Sequence, residues 1–234
     1  MAYETHANGS WFNETSLLAY YKGEDGTDSS GNGYNLTVVS GTSYVAGNFG
    51  NCMSFVRASS QYAYVDSNLG IAGTTITVST WFKPTTSPAT GTYHTIVNQG
   101  DVTTDVEYKV YYLMSGSVKS LWYIRNRNGT ATDGYDYIVT PATTSWHNSV
   151  LTYDGTNVKA YYNGQYVGSA AGSGNGSGLG SSVMALGFNT PANPNVFDGK
   201  IDETLVFNRA WTAGEVAKYY ENSKGQFYGQ VCIP

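Results

Sequence analysis

Short runs of alternating apolar and polar residues recur along the chain, broken by turns that carry glycine, asparagine and aspartate. That spacing is the mark of half-buried β-strands, whose side chains point alternately to two faces. Leu36–Val39 and Gln61–Val65 are two such runs. Thr75–Phe82 places Ile76, Val78, Thr80 and Phe82 on one face and Trp81 on the other, and it ends at Pro84. His94–Asn98, Val106–Met114, Val118–Arg125 and Ser149–Tyr153 follow. Asp154-Gly155 and Asn163-Gly164 then bracket Val158–Tyr162, with Gln165–Gly168 returning. Asn-Gly supplies the two positive-φ residues of a type I′ hairpin, so a tight meander is predicted here. Gly172–Gly180 reads as a flexible Gly/Ser loop, and Val183–Phe188 and Gly199–Phe207 as late strands.

One helix is predicted. Thr212-Ala213-Gly214-Glu215 fits a capping box, Trp211 and Val216 occupy the hydrophobic-staple positions, and Val216, Tyr219 and Tyr220 share one helical side. Roughly a dozen short strands and one terminal helix predict an all-β fold, a two-sheet antiparallel sandwich with one short C-terminal helix. Residues 1–16 read as an N-terminal arm, 17–221 as a single domain and 222–234 as a C-terminal tail.

Composition supports that reading. With 28 Gly and 21 Tyr, and charged residues at only 12%, the chain lacks the makings of a helical bundle, while 41% hydrophobic and 15% aromatic residues are ample core material and exclude disorder. The net charge of −5, with 12 basic residues in no cluster, argues against nucleic acid as a partner. No apolar run is long enough for a membrane span, and Met1–Thr15 has neither the basic start nor the apolar stretch of a secretory signal. The two cysteines, Cys52 and Cys232, are spaced for neither a metal cluster nor a redox pair; a single bridge and two free thiols both remain open.

Several segments resemble laminin-G-like, concanavalin A-like jelly-roll domains. They are Leu18-Ala19-Tyr20-Tyr21, Asp28-Ser29-Ser30-Gly31-Asn32-Gly33, Val45–Phe55, Thr77–Pro84, Trp146–Gly155, Phe197–Glu203 and Asn208–Thr212. They follow the family's order from about Leu17 to Tyr220, and the resemblance implies a jelly-roll sandwich of the lectin and glucanase kind. Such architectures carry lectins, adhesion modules, enzyme appendages and virion proteins, so fold alone does not fix function.

Two acidic clusters stand out, Glu24, Asp25 and Asp28 in an early loop and Asp198, Asp202 and Glu203 on the late strand. Calcium takes six to eight oxygens from carboxylates and backbone carbonyls on turns. The resemblance implies that these segments lie close together and that a structural Ca2+ would take Asp28 and Asp202, with Glu24, although Gly23-Glu24-Asp25 departs from the family's usual aromatic-Asp/Asn start. The alternative is that Asp28 and Asn32 cap turns. Glycoside hydrolysis needs two carboxyl groups about 5–10 Å apart, and the jelly-roll glucanase spacing Glu-x-Asp-x-x-Glu is absent; Asp101, Asp105 and Glu107, and Asp133 and Asp136, read as solvated residues at strand ends. His6, His94 and His147 match no nucleophile or zinc pattern. Sugar binding needs exposed rings beside hydrogen-bonding groups; Tyr93, Tyr112, Trp122, Tyr123, Tyr135 and Tyr137 lie in or beside the middle strands, and Tyr135, Tyr137 and Trp122 are the candidates taken from them, against the alternative that such rings fill the core.

The expectation is a non-catalytic binding or adhesion module at a surface, taking a glycan or a surface protein, and stabilised by calcium. The second expectation is a structural or decoration protein of a virion or other surface assembly, contacting copies or neighbours through an arm that carries Tyr3, Trp11 and Phe12. A glycoside hydrolase ranks third. Either of the first two places the protein outside the cell or on a virion.

Overall fold

The computed structural model describes residues 15–71, 75–100, 106–127, 131–172, 183–189 and 195–224. Fifteen strands and one helix follow in order: β1 (Leu17–Tyr21), β2 (Thr37–Val39), β3 (Ser43–Ala46), β4 (Asn51–Phe55), β5 (Tyr62–Tyr64), β6 (Ile76–Pro84), β7 (Tyr93–Gly100), β8 (Val106–Ser115), β9 (Val118–Arg127), β10 (Ala131–Ile138), β11 (His147–Tyr153), β12 (Asn157–Tyr162), β13 (Gln165–Ala171), β14 (Met184–Leu186), β15 (Gly199–Phe207) and α1 (Ala213–Lys224). They form two antiparallel sheets. The first runs β13-β12-β11-β6-β15-β4-β3, with β1 also pairing β15, and the second runs β10-β9-β8-β7-β14-β5-β2. This is the predicted two-sheet sandwich with its C-terminal helix.

The main core lies between the sheets. Ile76, Val78 and Phe82 of β6 meet Val110, Tyr112, Leu121 and Tyr123 of the opposite sheet there. The alternation in β6 sends Trp81 the other way, into a second apolar layer with Tyr20, Phe49, Leu205, Phe207, Trp211, Val216 and Tyr219. Helix α1 covers that outer face. Its start is the predicted capping box: the Thr212 amide donates to Glu215 Oε2 at 2.7 Å, and the Glu215 amide donates to Thr212 Oγ1 at 3.2 Å. Tyr220 stacks on Trp81 with centroids 5.6 Å apart, and Tyr219 lies 5.4 Å from Trp211. The Asn163-Gly164 turn adopts the predicted positive φ at both residues, and a Cβ on Gly164 would come within 2.7 Å of Tyr220.

Alternation did not mark four strands. β1, β3 and β4 are short and carry little periodicity of their own; β10 begins in the polar Ala131-Thr132-Asp133-Gly134. The arm with Tyr3, Trp11 and Phe12, residues 173–180 of the Gly/Ser loop, the tail beyond Lys224, and Cys232 lie outside the described residues. Cys52 is a buried thiol, its pKa pushed up to about 12, chiefly by burial.

Two expectations follow for stability. Trp81→Ala removes the ring that joins α1 to the sheet and should cost about 3–5 kcal/mol in denaturant unfolding, the range for large aromatic truncations. Burial, with Arg57 nearby, lowers the pKa of His94 from 6.5 to about 4. The folded state therefore holds this ring neutral, and its contribution is present above pH 6.5 and lost as pH falls toward about 4. His94→Phe should flatten that part of the acid-unfolding profile.

Candidate functional site

Helix α1 covers the middle of the first sheet's outer face, leaving Tyr166 exposed at the β13 edge, while a continuous strip of rings lies on the outer face of the second sheet. Register shows which side chains share it. On β9 and β8, Tyr123 and Tyr112 point into the core, so Trp122 and Tyr111, which pair directly, point outward. Tyr93 of β7 pairs Leu113, and Asp136 of β10 pairs Trp122. The result is a strip across four neighbouring strands. Tyr93 stands edge-on to Tyr111 with centroids 5.3 Å apart, and Tyr111 lies 5.8 Å from Trp122 at 33°. Tyr93 is 39% exposed, Tyr111 and Trp122 are half-buried, and Ile138 beyond them is 70% exposed. Among the described residues no helix or strand lies over these rings. The Tyr111 hydroxyl is pushed up in pKa by burial, then by Tyr93 and the Asp136 carboxylate.

Of the three aromatic candidates, the structure places Trp122 on this face and the other two elsewhere. Tyr135 and Tyr137 pair with Tyr123 and Leu121 and pack on the core from the sheet edge. The Tyr135 hydroxyl donates to the Val167 carbonyl at 2.7 Å, and its ring fills the space a Cβ on Gly168 would need. Tyr137 lies 5.6 Å from Tyr162. Tyr135 joins β10 to β13 and Tyr137 joins it to β12, so the two rings close one side of the sandwich. Tyr111 was missed by sequence reading; a one-residue choice of register on β8 separates it from Tyr112, which is buried.

The acidic candidates fall into separate roles. Asp28 holds its own turn: Oδ1 accepts the amides of Tyr20 (3.0 Å) and Ser30 (2.9 Å), while Oδ2 accepts the Ser30 hydroxyl (2.8 Å) and the Tyr34 amide (3.1 Å). Asp202 and Glu24 lie against another turn. Asp202 Oδ2 accepts the amides of Asn48 (2.7 Å) and Phe49 (3.0 Å), and Glu24 Oε1 accepts the Asn51 amide (3.1 Å). Backbone presses close on Asp202, since a Cβ on Gly47 would lie 2.7 Å from Oδ2 and one on Gly23 3.2 Å from Oδ1. Next to it, Glu203 sits at φ +46 in a bulge of β15 and accepts the Tyr20 hydroxyl at 2.5 Å. Asp202 Oδ1, Glu203 Oε1 and both polar atoms of the Asn48 side chain are buried without a hydrogen-bond partner.

A calcium ion fits this arrangement only in part. Asp202, Asn48 and Glu203 offer buried oxygens with nothing bound to them, whereas the Asp28 carboxylate is committed to four donors. Among the described residues, no three His, Cys, Asp or Glu side chains gather as a metal-holding group. Any further oxygens would have to come from the backbone. The carboxylates weighed for hydrolysis are placed differently again. Glu107 is buried in an ion pair with Arg125, Asp136 is exposed, and Asp101 and Asp105 lie outside the described residues.

The model of the concanavalin A-like lectin/glucanases superfamily matches residues 57–217. The chain belongs to that superfamily. Solved structures share the fold at low identity. Domain 4 of AbnA, a GH43 extracellular arabinanase from Geobacillus stearothermophilus, solved in complex with arabinotriose, is 22% identical with a TM-score of 0.66, covering 87% of this chain and 97% of that one. The binding domain of Paraclostridial Mosquitocidal Protein 1 is 20% identical (TM-score 0.65; 88% of this chain, 52% of that one). The binding domain of botulinum neurotoxin DC in complex with SialylT is 13% identical (TM-score 0.66; 90% and 52%). The chain thus spans about half the length of the two toxin binding domains. No curated protein matches the sequence. No helix among the described residues is long and apolar enough to cross a membrane.

The buried acids make a pH test. Burial raises the pKa of Asp202 well above the ordinary carboxylate value, with Glu203 adding repulsion, and burial raises Glu203 from 4.5 to about 7. The folded state therefore binds a proton more tightly than the unfolded chain. In EDTA, the stability from Glu203 should be fully present below pH 4.5 and lost as pH rises through about 7. Thermal unfolding across that window should show the decline, and Glu203→Gln should remove much of it.

Proposed function

We propose that this protein is a glycan-binding module, without catalysis, that works outside the cell and takes sugar on the open face of its second sheet. The observation that carries this reading is the strip of Tyr93, Tyr111 and Trp122 on three adjacent strands, with Asp136 directly opposite Trp122. A sugar ring presents an apolar face edged with hydroxyls, and an aromatic ring beside a hydrogen-bond acceptor is its complement. The arabinotriose complex of the arabinanase domain supports the reading, as does botulinum neurotoxin type C, which shares the fold and whose cell entry depends upon interaction with two ganglioside molecules. The Glu107–Arg125 ion pair supports the absence of hydrolysis, because a carboxylate held that way is not open to a substrate.

Trp122→Ala and Tyr111→Ala should each weaken binding on a glycan array at least about tenfold, the loss expected when a central contact ring is truncated. Both proteins should keep the wild-type melting temperature within a few degrees, since neither ring belongs to the main core. Binding unchanged in both variants would place the sugar elsewhere.

A structural calcium extends the proposal, and the unpartnered oxygens of Asp202, Asn48 and Glu203 are what support it. Those residues would hold the ion, and its role would be to neutralise buried carboxylates and fix the 47–51 turn against β15. Added Ca2+ should raise the melting temperature above that in EDTA, because a ligand bound only to the folded state stabilises it. Asp202→Asn should abolish the increment and Asp28→Asn should leave it in place.

A further inference from the structure

The strip carries a charge as well as rings, and the charge selects among sugars. Asp136 is exposed and stands opposite Trp122, near enough to Tyr111 to oppose ionisation of its hydroxyl. None of the ion pairs formed among the described residues involves it. Arg57 spends Nη1 on the carbonyls of Tyr93 and Val196, Lys109 on the same outward face is buried, and Arg125 is drawn inward to Glu107. The rest of the chain adds to the sign, with a net charge of −5. A carboxylated sugar laid across Tyr111 and Trp122 would bring its charge beside Asp136, which forms no ion pair with a cation among the described residues. A neutral sugar would instead give that carboxylate a hydroxyl donor, the stronger kind of hydrogen bond because the acceptor is ionised.

We infer that the open face is selective for neutral oligosaccharides and discriminates against uronate- and sialate-bearing ones, with Asp136 as the residue that sets the choice. The inference rests on the glycan-binding reading above. It separates this chain from what a likeness to toxin binding domains would suggest, since the one solved with SialylT shares only the fold with it. Two like charges a few ångströms apart at a surface repel by enough to change affinity about fivefold to tenfold at low salt, and by less as salt screens them.

Calorimetric titration of the full chain with arabinotriose and cellotetraose, against trigalacturonate and sialyllactose, tests it. At low ionic strength the neutral sugars should bind about tenfold or more tightly than the acidic ones, and the gap should narrow in high salt. Asp136→Asn should improve the acidic sugars severalfold while weakening the neutral ones slightly, with its melting temperature unchanged. Acidic sugars that bind the wild type as well as neutral ones do, or a gap that survives Asp136→Asn, would overturn the selectivity while leaving glycan binding standing. Loss of all sugars in Trp122→Ala confirms that the titrated site is this face. Sugar binding that ignores Trp122→Ala would overturn the proposed site, and the selectivity assigned to it, together.

Discussion

Burial of β6 on both faces is the constraint on which the rest depends. A strand at the centre of a sandwich normally shows one face to the opposite sheet and one to water, yet all but Lys83 of Ile76–Pro84 are buried. The inner side meets the second sheet, and the outer side meets α1 through Trp81 and Tyr220. That arrangement seals one face of the molecule with a helix. Over β8 to β10 no helix or strand among the described residues covers the second sheet; Lys109, Leu113, Ser120 and Ile124 on that side are buried, and Tyr93, Tyr111 and Trp122 are the rings left partly accessible. The asymmetry follows from the sequence: Trp81, Leu205 and Phe207 need an apolar partner on their outward side, and the chain supplies it at its last element.

The buried polar groups divide the molecule in a second way. Asp28 and the Tyr135 hydroxyl end on backbone partners and hold loops and edges in register. Asp202, Asn48 and Glu203 retain oxygens that end on nothing. A buried oxygen without a donor is costly, so the carboxyls of Asp202 and Glu203 on β15, beside Asn48 of the 47–51 turn, favour their protonated forms.

Much of this was legible in the sequence, and the failures are instructive. The strand alternation in β6 and β12, the Asn163-Gly164 turn and the Thr212–Glu215 cap all rest on local chemistry, and each appears where expected. The direction of a ring on a middle strand does not rest on local chemistry. Val106–Met114 is rich enough in tyrosine that either face could have been the core, and only pairing with β7 and β9 decides that Tyr112 is in and Tyr111 out. Tyr135 and Tyr137 looked exposed because Asp133, Gly134 and Asp136 surround them; they turn inward because the neighbouring sheet ends at β13 and its edge needs closing. Glu203 was seen only as one of a cluster, because no pattern in the sequence announces a residue at positive φ in a bulge.

The pairing of β1 with β15 joins Leu17–Tyr21 to Thr204–Phe207, nearly the full length of the described chain apart. On a ribosome, the first strand would leave the exit tunnel long before its neighbour existed, and Trp81 would wait for α1 with one side bare. Closing so long a loop carries an entropic cost before any contact repays it. The nascent protein therefore has an extended interval of exposed apolar surface, and its yield in a cell should depend on holdase chaperones and growth temperature more than the finished sandwich would suggest.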